Sequence, residues 1–98
     1  MDLTAMRDDE ICSYLASRIR AARLECKYSQ EVMAHKSGIP LRTYKRIEAT
    51  GTGSIQNLIA ILRALHRLVG IQLLLPTHQP NRLSITERLQ LVAENQQR

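Results

Sequence analysis

Apolar positions recur at helical spacing along most of this chain. Ile11, Leu15, Ile19, Ala22 and Cys26 fall on one face of a helix predicted from Asp8 to about Cys26, with Asp8, Asp9 and Glu10 at the end where the helix dipole is positive. Two shorter helical patterns follow, about Gln30 to Ser37 and about Leu41 to Ala49, joined by Gly38-Ile39-Pro40. Thr50-Gly51-Thr52-Gly53 then breaks the period. Ser54 stands as the cap of a fourth helix containing Ile55, Leu58, Ile59, Leu62 and Leu65.

Beyond the fourth helix the pattern reads two ways. Leu65, Leu68, Val69, Leu73 and Leu75 suit a fifth helix, whereas Val69, Ile71, Leu73 and Leu75 alternate as a strand would. The helix is favoured, since Gly70 is tolerable in either form and the run ends at Pro76. Either way the stretch is too apolar for the edge of so small a domain, and a second copy of the chain is the simplest cover for it. Leu62, Leu65, Leu68, Val69 and Leu73 are therefore the expected dimerisation residues. Thr77-His78-Gln79-Pro80-Asn81 reads as a polar linker. Ser84-Ile85-Thr86-Glu87 has the form of a capping box, opening a last helix of about Ile85 to Asn95 with Ile85, Leu89 and Val92 as its apolar stripe. This gives a first domain over 8–75 and a linker with a helical tail over 76–98.

The most informative stretch is Ser29 to Glu48. Ala34 is small where a second helix must cross the first, and Gly38 can take a positive φ in the turn without penalty. Ser29 can cap the first of the two helices and Pro40 can open the second. Met33, Ile39, Tyr44 and Ile47 are the apolar pins. On these residues, with Ser29-Gln30-Glu31, Thr43 and Arg46-Ile47-Glu48, the chain resembles the Cro/C1-type (XRE) helix-turn-helix family over roughly Ala16 to Leu68. The resemblance implies an all-α, lambda repressor-like bundle of four to five helices with a C-terminal helical extension. Two residues depart from the family pattern: Ser37 stands where a larger apolar residue is usual, and Tyr44 where Ile or Val is usual. Both are expected to weaken the packing of the turn slightly.

Composition narrows the chemistry. With 98 residues and no Phe or Trp, the core must come from Leu, Ile, Val, Ala and Met, which suits packed helices better than a β-sandwich. No apolar run approaches the roughly 20 residues of a membrane helix, and the first residues lack a signal-peptide pattern, so the expectation is a cytoplasmic protein without a membrane partner. Cys12 and Cys26 lie about 21 Å apart along one predicted helix and cannot pair; they read as small core thiols. The net charge of +5 is uneven. Met1–Ser17 carries Arg7 against Asp2, Asp8, Asp9 and Glu10, a balance of −3, whereas Arg18–Glu48 carries eight bases against three acids, a balance of +5. The basic excess coincides with the two-helix motif, as counterion release from a polyanion would favour.

The resemblance also assigns roles. Leu41, Arg42, Lys45 and Arg46 are expected to face base edges of double-stranded DNA from the second helix of the motif, arginine because its fork donates two hydrogen bonds to guanine O6 and N7. Ser29, Gln30 and Thr43 are expected at phosphates. Arg23 and Glu48 correspond to a structural salt bridge. His35, His66 and His78 are isolated, and neither a catalytic arrangement, a metal-ligand spacing nor a phosphate loop is visible, so no enzyme activity, metal or cofactor is expected. The function implied is a homodimeric repressor or autoregulator on a palindromic operator. Some compact members with a tail resemble HipB-like antitoxins, which would add a HipA-like toxin as partner. The alternative is a protein-interaction or assembly module whose basic face is incidental.

Overall fold

The computed structural model describes residues 1–76 and 89–93, and among these it is all-helical, with no strand. After a 3-10 turn at Leu3–Ala5 come α1 (Asp8–Glu25), α2 (Gln30–Ser37), α3 (Leu41–Thr50), α4 (Ile55–Ala64), a second 3-10 turn at Leu68–Gly70, and α5 (Ile71–Leu74). Residues 89–93 are also helical, inside the tail helix expected from about Ile85 to Asn95. The rest of that helix, its capping box and the Thr77–Asn81 linker lie outside the described residues.

The chain forms two compact units, Met1–Leu68 and Val69–Arg98. The boundary between them follows the turn that ends α4 at Leu65 and His66. In the first unit α3 packs on α1 and on α2, and α2 packs on α4. Their shared core holds Ile19, Ala22, Met33, Ala34, Ile39, Tyr44, Ile47, Ile61 and Leu65. All four expected pins, Met33, Ile39, Tyr44 and Ile47, are buried. Tyr44 is among the largest fully buried side chains, so it fills the turn's core instead of weakening it. The departure at Ser37 is accommodated differently: its hydroxyl donates to the Met33 carbonyl at 2.7 Å, so a half-buried polar group is satisfied.

Each helix starts and stops for a local reason. The Glu10 carboxylate accepts the Arg7 amide at 3.0 Å at the start of α1, and the hydroxyls of Ser29 and Ser54 accept the amides of Val32 and Asn57 at the starts of α2 and α4. At the other ends a left-handed residue turns the chain: Lys27 (φ 61°) after α1, Gly38 (φ 68°) after α2, Gly51 (φ 74°) after α3 and His66 (φ 60°) after α4. After α1, α2 and α4 the paired bonds are those of a Schellman motif, for example Ile39 N–H to Ala34 O and Gly38 N–H to His35 O. Gly51 is needed twice over. A Cβ there would sit 1.9 Å from the Cys12 carbonyl oxygen, so α3 ends directly against the backbone of α1.

The first helix departs from its pattern at one end. Ile19 and Ala22 are buried, but Ile11 is half buried and Leu15 is 38% exposed. Leu15 lines an apolar cleft with Ile19, Ile47, Ile55 and Leu58, next to the glycine-bearing loop after α3. Cys12 and Cys26 are half buried free thiols at the margin of the core, not inside it. The ambiguous run from Leu68 is helical, as a 3-10 turn leading into α5, rather than a strand.

Candidate functional site

The helix α3 presents two chemically opposite faces. Tyr44, Ile47 and Glu48 point inward and are buried, while Arg42, Lys45 and Arg46, at the complementary helical spacing, are exposed. Among the described residues these three cations enter no ion pair; the salt bridges there use Arg7, Arg23 and Arg67. Leu41 is half buried, with one side packed on the core and the other bordering Arg42 and Lys45.

The turn sets this geometry. Gly38 closes α2 in the left-handed region with nothing within 4 Å of where a Cβ would stand, so glycine is used there for conformation and not for space. Pro40 (φ −55°) stands just ahead of α3 and its carbonyl accepts the Tyr44 amide at 2.9 Å. Among the described residues no side chain caps α3, which leaves the first amides of the helix and its positive dipole end without a side-chain partner beside exposed Arg42. The amino end of α3 is therefore positive by backbone and by side chain together.

Glu48 is the one acid on this helix, and it is held inside. Arg23 grips it bidentately, Nε to Oε2 and Nη2 to Oε1, both at 2.9 Å, while Nη1 donates to the Tyr28 carbonyl at 2.7 Å. Burial alone would raise the Glu48 carboxyl, but hydrogen bonding and charge from Arg23, with a weaker contribution from the Gln30 amide, hold it below its ordinary value. The same hydrogen bonds raise the Arg23 guanidinium. Burial drives the Tyr44 phenol far above the ordinary tyrosine range, and its hydroxyl lies buried without meeting hydrogen-bond geometry. The pair locks the end of α1 to the last turn of α3.

The other predicted residues divide. Ser29 is exposed at the start of α2, its oxygen already accepting the Val32 amide. Gln30 is half buried and its amide donates to Glu48 Oε1 at 3.4 Å, so in this conformation it leans toward the salt bridge. Thr43 is half buried. Ser29, Gln30, Lys45 and the Arg23–Glu48 pair line one polar depression, together with Arg20 of α1. Sequence reasoning missed Arg20 as part of this site; its place one helical turn before Arg23 was the available signal.

Of the residues expected at a dimer contact, Leu65 belongs to the chain's own core at 5% exposure and has no surface to offer. It stands four residues after fully buried Ile61 and, still in right-handed helical conformation as the C-cap of α4, falls on the same inward face. Leu62 and Leu68 are half buried, whereas Val69 and Leu73 are 70% and 81% exposed.

No helix among the described residues is long and apolar enough to cross a membrane. A helix-turn-helix family model matches residues 19–67, half of the 98-residue chain and the segment that carries α2, the turn and α3. No curated protein matches the sequence.

Proposed function

The chain belongs to the helix-turn-helix family of XRE (Cro/C1) type, a family of DNA-binding regulators, and from that premise we propose that it is a homodimeric transcriptional repressor or autoregulator of a palindromic operator. In this reading α3 enters the major groove, with Leu41, Arg42, Lys45 and Arg46 at base edges and Ser29, Gln30 and Thr43 at phosphates. The observation that carries the reading is the division of α3 into a buried face and an exposed face of three cations that enter no ion pair among the described residues, beside a helix start without a side-chain cap there. A solvated basic face on an assembly module needs no such pre-aimed helix end. Exposed Val69 and Leu73 support a second copy as the cover for the segment after α4. The same surface would serve a HipA-like toxin if the chain is an antitoxin of the cytoplasm, and a stoichiometric co-purifying protein distinguishes that case.

Binding to duplex DNA across a salt series is the test. Affinity is expected to fall steeply as salt rises, by a logarithmic slope of about 0.9 per neutralised phosphate, and to be strongest for DNA upstream of the protein's own gene. Arg42→Ala with Arg46→Ala should abolish the preference for that site and leave the melting curve and the dimer unchanged. A flat salt response, or a double variant that binds as well as the parent, would transfer the case to the assembly module.

A further inference from the structure

At the amino end of α3 lies a shallow, open, mainly apolar hollow bordered by Leu41, Arg42 and Lys45. Leu41 is anchored against the core and half buried, so its remaining surface is held in place instead of swinging freely. The other borders are Arg42 and Lys45, both exposed, long side chains that offer apolar methylene stems below a charged head. The hollow thus combines an apolar seat with cations on its rim. Leucine has no hydrogen-bonding group and cannot read the donors and acceptors of a base edge. The apolar group that the major groove offers is the C5 methyl of thymine, and 5-methylcytosine carries the same group in the same position. Arg42, immediately beside Leu41 in the chain, has the fork that matches guanine.

We infer that this hollow seats the C5 methyl of a pyrimidine next to the guanine gripped by Arg42, so that each half-site contains a 5-methylpyrimidine neighbouring a guanine. The inference rests on the major-groove reading above and adds to it the chemical group recognised. Leu41 is then a specificity residue that contributes through shape and dehydration, and its contribution survives at high salt, where phosphate contacts fade.

The experiment uses the full chain and a duplex site selected from a random pool, with thymine, uracil, cytosine or 5-methylcytosine at the pyrimidine beside the guanine. Uracil removes only the methyl, and binding should weaken about fourfold relative to thymine. Methylating the cytosine should tighten binding by a similar factor, and the tighter of thymine and 5-methylcytosine names the natural source. Leu41→Gln should erase the thymine-to-uracil ratio, while Leu41→Met, which keeps the apolar packing, should retain it. The ratio is taken within one protein preparation, so partial loss of folded protein cancels. Equal binding of thymine and uracil duplexes, selected sites with no thymine beside a guanine, or a Leu41→Gln protein that keeps the parent's ratio would overturn the assignment. Failure to bind any duplex would instead sink the major-groove reading itself.

Discussion

The α2–α3 region and the segment Val69–Leu75 are both rich in large apolar side chains, yet they end in opposite environments. Met33 and Tyr44 are fully buried in the chain's own core, whereas Leu73 and Leu75 are 81% and 90% exposed. The difference lies in what each segment packs against. The left-handed glycines after α2 and α3 lead into helices that pack on earlier ones, α3 on α1 and α2, and α4 on α2, and the Arg23–Glu48 pair ties α3 to α1. No corresponding closure is seen over Val69–Leu75 within the described residues. Apolar sequence therefore supplies the drive toward burial, and helix-on-helix packing decides whether the same chain can satisfy it.

The comparison is broken most severely at the ion pair. Glu48→Ala leaves a buried guanidinium without its carboxylate and should lower unfolding free energy by about 3–5 kcal/mol, measured by urea titration. Arg23→Met with Glu48→Leu, which removes both charges, should lose far less. A loss equal to the single variant's would show that the pair holds the fold by attraction and not by compensating its own burial. Next in size is Gly51→Ala, whose Cβ would strike the Cys12 carbonyl from a left-handed backbone; about 2–4 kcal/mol should be lost. Gly38→Ala meets open space and should cost only the conformational penalty, about 1–2 kcal/mol.

Acid should act through the same lock. The Glu48 carboxyl is held below its unfolded value, so its contribution is present above about pH 4.3 and is lost as pH falls through the lowered folded value. Urea midpoints measured from pH 7 down to pH 2 should show this loss in the parent, and Glu48→Gln should lack that component. The smallest effect on the fold belongs to the other region. Val69→Ser with Leu73→Ser should change the unfolding free energy of the helical domain by less than about 0.5 kcal/mol while lowering the self-association seen by sedimentation. A large loss of stability there would mean that the segment is part of the core after all.

Much of the helical frame could be read in advance, because helix faces and their punctuation are local. The bounds of α2, the start of α3 and the Ser54 cap follow from residues within one turn of each boundary. Lys27 and His66 were harder to see as stops: they occupy the left-handed region without being glycine, and no residue type marks them. Tyr44 looked like a packing fault against the family pattern and is instead a principal filler of the core. Arg20 looked like one base among several until folding placed it beside Ser29 and Lys45.

The amino-acid order by itself determined the helix periodicity, the glycine turn and the cationic face of α3, since each depends on spacing along a single element. Tertiary structure alone decided that Leu65 is spent inside the chain, that Gln30 leans on Glu48 and that Leu41 stands half embedded beside Arg42. Those outcomes depend on which surfaces the folded helices bring into contact, and burial and partner choice are properties of that contact rather than of any one helix.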